Sequence, residues 1–302
     1  MPSIQIRPFQ RADREQLTKL VNAHIAAVLP GVSVSVNTVM SQLEREPAEP
    51  IVDPWVSEPR TLVASEKDAI VAGAHLLRYA PDERVSDSYR DAGEIRWLVA
   101  RPAATGASDA LLGACVEVMD GWLVARQYAD GSLPSLATYG VPACWPHIRD
   151  LYTRAGFICD GRVEIILVAF VDQLPRPSAP PVAGLELHRS VGDCGTRFSA
   201  VLAETVVGMI EVESDVTDGG TRSRLSGWSD IGNLHVIAPH RRNGVATWLL
   251  AHAADWLRLG RVERLIAYAG PEQHDELAFL ATAGFRELTR TERGWTYGRL
   301  PS

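Results

Sequence analysis

The chain has 302 residues, 46% of them hydrophobic and 22% charged, which is the balance of a globular protein and not of a disordered or fibrous one. That length accommodates two ordinary domains of roughly 150 residues each. A net charge of −7 without a basic footprint argues against nucleic acid as a partner, and no apolar run reaches the ~18 residues of a membrane span.

Taken in order, residues 4–7 read as a strand. Residues 11–29 place Leu17, Leu20, Val21, His24, Ile25 and Val28 near helical spacing, with Asp13 close to the start, and predict a helix. A second helix is expected over 36–46, where Val39, Met40 and Leu43 share a face. Residues 60–77 hold two strands around Glu66-Lys67-Asp68, and 94–99 another strand. A helix over 107–124 follows, then a short strand over 136–139. A helix over 147–155 ends at Gly156, which fits a C-cap, and 162–170 is a strand.

Prolines 175, 177, 180 and 181 then interrupt the chain. They fix φ and remove backbone donors, so neither helix nor central strand passes through, and 175–182 reads as a semi-extended linker between domains 1–174 and 183–302.

Beyond it, strands are expected at 185–188, at 197–202 paired with 206–213, and at 230–237. A helix over 244–259, a strand over 264–269 and a helix over 272–283 ending at Gly284 come next. Residues 285–289 and 295–299 are expected to close the domain as a hairpin. The two halves share an order of elements and a local string, Leu151-Tyr152-Thr153-Arg154-Ala155-Gly156-Phe157 against Phe279-Leu280-Ala281-Thr282-Ala283-Gly284-Phe285, which indicates an internal duplication. The second half has no room for the two helices that follow the first strand of the first half.

One segment carries chemistry. A β-type run ends at Pro239, and a helix begins near Gly244 with Val245, Trp248, Leu249 and Ala253 on one face. His240, Arg241, Arg242 and Asn243 fill the turn between them. The first turn of a helix has backbone N–H groups without partners and the positive end of the macrodipole. Gly244 permits close approach to the backbone, Ala246 is small, and the arginines add positive charge, so the segment suits a diphosphate.

The spacing Arg241-x-x-Gly244-x-Ala246 after such a strand resembles the acetyl-CoA signature of the GNAT (GCN5-related N-acetyltransferase) superfamily, and the string ending Gly284-Phe285 resembles that family's second motif. The resemblance covers the second half and, more weakly, most of the first. It implies two tandem domains in the α/β class, with mixed, mostly antiparallel sheets, a splayed central strand pair and flanking helices. It also implies that the amides of Arg241, Arg242, Asn243, Gly244, Val245, Ala246 and Thr247 hold the diphosphate of acetyl-CoA. Leu234, His235 and Val236 would run along the pantetheine arm, with the Leu234 N–H as an oxyanion-type donor. Family members place an acidic base eleven residues before the first motif position, which here is Asp230. The family's tyrosine acid falls on Leu280, which has no proton to give, so Tyr268, Tyr297 and His235 remain as candidate acids.

In the first half the arginine position is Ala103, although Gly106 and Tyr152 are kept and Glu94 is in register with Asp230. Twelve residues separate Glu94 from Gly106 where fourteen separate Asp230 from Gly244, so this copy is a degenerate one with a structural or acceptor-shaping role. With its helices missing, the second half needs its acceptor site walled by the first half or by a second subunit. Glu211, Glu213 and Asp215 alternate along one strand with Asp218 beyond, either as a solvated face or as an attraction for a cationic amine.

The expected activity is transfer of an acetyl group from acetyl-CoA to a primary amine of a small cationic molecule. A peptide acceptor, or an inactive CoA-binding module, are the alternatives. No His, Cys or acidic grouping has metal-ligand spacing. Cys115, Cys144, Cys159 and Cys194 form no C-x-x-C pair and are expected to be free thiols. With no signal peptide over residues 1–14, a cytoplasmic monomer or homodimer is expected.

Overall fold

The computed structural model describes residues 4–43, 55–135, 137–213 and 227–298. Two compact units form, one from Met1–Val163 with Thr291–Ser302, the other from Glu164–Arg290.

In the first unit, β1 (Ile4–Pro8) leads through a short 3-10 turn into α1 (Arg14–Val28), followed by α2 (Val36–Leu43). Leu17, Val21, Ile25 and Val28 of α1 are buried at i, i+4, i+8 and i+11, which gives the helix one core face. Then come β2 (Val56–Glu66), β3 (Ala69–Tyr79) and β4 (Ala92–Ala100). α3 (Thr105–Gly121), β5 (Arg126–Ala129), β6 (Val141–Pro142), α4 (Pro146–Arg154) and β7 (Phe157–Phe170) complete the first repeat.

In the second repeat, β8 (Leu185–Gly192) turns directly into β9 (Gly195–Leu202), then β10 (Thr205–Glu213) and β11 (Trp228–Val236). α5 (Val245–Leu259), β12 (Arg264–Ala269), α6 (His274–Thr282) and β13 (Arg286–Tyr297) follow. The pairing is mixed and mostly antiparallel, as expected, with the strand order β1-β2-β3-β4-β5-β13-β7-β12-β11-β10-β9-β8 and β6 on β13.

The halves are copies in detail. β4 and β5 run parallel from Ala92↔Arg126 to Ile95↔Ala129, and β11 and β12 from Trp228↔Arg264 to Asp230↔Ile266. Glu94 and Asp230 thus occupy the same place in the two ladders. In the second copy the parallel ladder stops at Asp230↔Ile266, while β11 continues to Val236 and β12 to Ala269. A bulge recurs as well. Arg96 is the extra residue where β4 slips against β3, and Gly232 where β11 slips against β10. A bulge re-aims the side chains beside it.

Three expectations are corrected. Residues 137–139 form no strand, and Ala137 has φ of +54°. Leu136 lies outside the described residues. The strand partner of β4 is the polar stretch Arg126-Gln127-Tyr128-Ala129, whose pattern hides it from a reading based on apolar runs. The expected C-terminal hairpin is one long strand, β13, which passes from the second unit to the first at Thr291. β7 makes the opposite passage at Glu164.

The consequence is a reciprocal exchange of closing strands. Residues 165–170 of β7, from the first repeat, pair with β12. Residues 295–296 of β13, from the second repeat, pair with β5, and 291–292 pair with β6. The compact units therefore change over at Val163/Glu164 and Arg290/Thr291, away from the proline-rich seam. That seam is packed onto α5. Trp248 Nε1 donates to Ser178 O at 3.2 Å, and the Arg258 guanidinium donates to Val171 O and Leu174 O.

Candidate active site

The second unit assembles the Arg241–Gly244 loop as its residue types require. β11 ends at Val236 and a 3-10 turn spans Ala238–His240. The Arg241 side chain folds back, its Nε donating to Val236 O at 2.8 Å, which ties the loop to the strand that feeds it. Arg242 has φ of +63°, and its guanidinium is 3.9 Å from Asp275 with both groups in solvent, a pairing worth little.

Gly244 is the N-cap of α5 at φ +81°. A side chain there meets two obstacles, the left-handed backbone and Pro181, whose Cβ lies 3.2 Å from where the new Cβ would stand. Val245, Trp248 and Leu249 bury the inner face of α5, while Asn243, Gly244 and Thr247 are exposed and Ala246 half-buried. The amides of this first turn, which have no partner inside a helix, therefore open on solvent-facing loop. Leu234 is half-buried and His235 exposed, opposite Ile210 and Met209 of β10. Both lie past the last residue at which β11 pairs with β12.

Asp230 stands at the end of that paired stretch. Its Oδ2 accepts from the Tyr268 hydroxyl at 3.3 Å, while the buried Oδ1 has no hydrogen-bond partner among the described residues. Across the antiparallel ladder it faces Glu213. Burial first, and then the charge of Glu213, push the Asp230 carboxyl up to about 6. A carboxylate so placed can accept a proton near neutral pH.

The acidic strand divides by environment. Glu211 is 0% exposed and accepts from Arg197 Nε, from Asn233 Nδ2 at 2.8 Å and from the Cys194 amide at 3.2 Å. Burial pushes its carboxyl up, but the bonds from Asn233, Arg197 and Cys194 outweigh that and hold it below the usual range. Glu211 is thus a structural anion committed to its partners, and Glu213 is the carboxylate beside Asp230. Asp215 and Asp218 lie outside the described residues.

Of the candidate acids, Tyr268 is brought to Asp230. Tyr297 folds with the first unit, where its ring packs on Phe157 at 5.1 Å between centroids. Leu280 lies in the core of the second unit. Its counterpart Tyr152 is also buried and donates to the Asp130 carbonyl at 3.1 Å, so that position faces the interior in both copies. In the first unit the loop before α3 has Ala104 as N-cap at φ −93°, and Gly106 lies one residue inside the helix, so the left-handed cap is missing. Sequence reading missed Pro181 and Ser178 as neighbours of the loop, because linker composition says nothing about what a linker packs against. Among the described residues no group of His, Cys, Asp or Glu could hold a metal ion, and no helix is long and apolar enough to cross a membrane.

Residues 164–285 match the model of the Acetyltransferase (GNAT) family. A comparison with curated proteins finds no match. Among solved structures, the chain is similar to a tandem GNAT protein of the clavulanic acid biosynthesis pathway, determined without acetyl-CoA (TM-score 0.68, 17% identity, 99% of this chain and 100% of that one). It is also similar to a GCN5-related N-acetyltransferase from Sphaerobacter thermophilus (0.62, 14% identity, 97% and 94%). A third likeness is to a fungal multi-domain GH3 β-N-acetylglucosaminidase with a GCN5-related glucosamine N-acetyltransferase region (0.66, 14% identity), where this chain is covered to 98% but spans only 38% of the other. At such identities the likeness is one of fold. Residues 164–285 thus match the GNAT acetyltransferase family, and the whole chain has the fold seen in tandem GNAT proteins.

Proposed function

We propose that the second unit is an acyl-CoA-dependent N-acyltransferase that moves an acetyl group from acetyl-CoA to a primary amine of a small cationic molecule. The observation that supports this most is Asp230, a largely buried carboxyl raised to about 6 on the strand that leads into the Arg241–Gly244 loop.

The residues fit the cofactor. The left-handed Gly244 leaves the loop bare of side chain at the start of α5, and the amides from Arg241 through Thr247 would hold a diphosphate at the positive end of that helix. The open edge of β11 over Leu234, His235 and Val236 would take the pantetheine arm. Bound there, acetyl-CoA would supply a thioester carbonyl whose C–S bond breaks as the amine's C–N bond forms. Asp230 would accept the proton released by the attacking ammonium group, with Tyr268 steadying Oδ2. Glu213, facing Asp230, favours an acceptor that arrives with positive charge. Leu280 cannot protonate a leaving thiolate, and Tyr268, whose hydroxyl meets Asp230, would serve as the acid.

Calorimetric titration of acetyl-CoA into wild type and Gly244→Trp tests the cofactor half of this reading. One site per chain, lost in the variant, is the expected result. Absence of binding to the wild type would sink it. Binding without release of CoA for any amine would instead identify an inactive CoA-binding module, and release with peptides alone a peptide-directed enzyme.

A further inference from the structure

Between its first two strands the first repeat carries α1 and α2, while in the second repeat only Asp193 and Cys194 separate β8 from β9. In the first repeat α1 lies over β3, where Leu17 Cδ1 is 2.6 Å from the place that a Cβ on Gly73 would take. The matching ladder position in the second repeat is Met209 of β10, and Met209, Glu211 and Glu213 share that face of the strand. The turn after β8 is folded over the same face.

Its glycines let it pass close to β10. A Cβ on Gly192 would collide with the Glu211 carboxylate, and one on Gly195 would stand 2.6 Å from Val212 O and 2.9 Å from Glu213 Cα. Past β10, Cys194 rests on β11. Its Cβ fills the place of a side chain on Gly232, and its Sγ is 3.7 Å from Asn233 Nδ2. The buried Glu211 pins this arrangement, because it accepts from the Cys194 amide in the turn, from Arg197 on β9 and from Asn233 on β11. Arg197 also donates to Asp193 at 3.0 Å. Charge-assisted bonds from three elements to one carboxylate fix the turn to the bulged strand.

Gly232 is the bulged residue of β11, two residues past Asp230 and two before Leu234. It is therefore within about 7 Å of each along the strand. An amine that loses a proton to Asp230 and attacks a thioester held at the Leu234 amide lies over this stretch, where Cys194 stands. Glu213 joins the two sides, since it lies against the turn at Gly195 and faces Asp230 across the ladder. Burial, and then the charges of Glu211, Asp193 and Glu213, push the Cys194 thiol up. At neutral pH it is a protonated thiol, a wall and not a rival nucleophile.

We propose that the Asp193–Cys194 turn is the acceptor-side wall of the second unit's site, and that Cys194 is the side chain against which the amine lies as Asp230 takes its proton. The proposal rests on the transferase reading of that unit. The wall then comes from the unit itself and not from the first half or a second subunit.

The test builds the acceptor into the wall. Cys194→Lys sets a primary amine there on a flexible stem, and acetyl-CoA is added with no other amine. The amide C–N bond forms as the thioester C–S bond breaks. One ammonium proton leaves through Asp230 to solvent, and a second goes to the departing CoA thiolate. Peptide mass mapping over time compares the new amine with Lys19 and Lys67, the chain's own lysines, both exposed and in the first unit. The new amine is expected to gain its acetyl group about a hundredfold or more faster than these two, and adding Asp230→Asn should bring it within about tenfold of them. Should Cys194→Lys fail to fold or to bind acetyl-CoA, folded wild type alkylated with 2-bromoethylamine carries the test. That reagent gives Cys194 an amine of the same length, and Cys144 and Cys159 of the first unit serve as references. If wild type releases CoA with free amines while the new amine reacts no faster than its references, the inference is overturned and the transferase reading stands. Fast acetylation that Asp230→Asn leaves untouched overturns it as well, and so does loss of acetyl-CoA binding in both altered chains, which would put Cys194 on the cofactor's path. If wild type neither binds acetyl-CoA nor releases CoA, the transferase reading fails first and the inference with it.

Discussion

Asp230 shows how one residue's surroundings decide what it can do. On its strand it would be an ordinary carboxylate, but burial and the facing Glu213 raise it to about 6. If it is the base, kcat/KM should fall as pH drops through that value, because the proton-accepting form is lost. Asp230→Asn should lower kcat/KM by roughly 10²–10⁴-fold and abolish that acidic limb, which steady-state rates across pH would reveal. An unchanged limb would assign it to another group. The same shift has a consequence for stability. The native state binds this proton more tightly than the unfolded chain, so the ionised form destabilises the fold above about 6, and the effect fades as pH falls toward the usual carboxylate range. Asp230→Asn is therefore expected to be more stable than wild type at pH 8 by on the order of 1–3 kcal/mol, and equal to it near pH 4, in denaturant melts. Glu211, two residues from Glu213 on the same strand, is the contrast: its partners hold it ionised and committed.

At the scale of elements, the strand-loop-helix of β11 and α5 is a joint with one critical position. Gly244→Ala places a methyl group at a left-handed φ and against Pro181. It should weaken acetyl-CoA binding about tenfold or more while leaving the far end of α5 in place, since relief of the strain must shift the loop amides. Wild-type affinity in that variant would mean that the loop amides are not the diphosphate ligands. The helix itself is anchored by its apolar face. Leu249 is fully buried in the second core, and Leu249→Ala should cost about 2–5 kcal/mol in urea melts. The proline-rich segment takes part in this joint as well, since Ser178 and Pro181 meet Trp248 and Gly244.

For the whole molecule, the exchange of closing strands governs how the chain can be cut. Residues 1–182 alone would lack the β13 stretch that pairs with β5 and β6, and residues 183–302 alone would lack the β7 stretch that pairs with β12. Each fragment is expected to be unfolded or aggregated by itself, and the two should recover native circular dichroism when refolded together. A fragment 183–302 that folds cooperatively alone would show that its closing strand is dispensable. The same exchange makes both units discontinuous in sequence, although the repeat is continuous.

Much of this was legible in the sequence because it is written locally. The duplication, most strands and helices, and the Arg241–Ala246 loop follow from apolar spacing, prolines and glycines, whose effects act within a few residues. Gly156 and Gly284 end their helices at positive φ as expected. β5 was hidden because its four polar residues owe their strand to β4, a partner far away in sequence. The hairpin reading of the C-terminus failed for the same reason: residues 290–294 can turn or extend, and it is pairing with β6 and β5 that keeps β13 extended. What the sequence determined by itself is the repeat, most of its elements and the residue types of one loop. Which strand closes which unit, which tyrosine meets Asp230 and which glutamate faces it were decided by tertiary structure, because each depends on groups brought together across long stretches of chain.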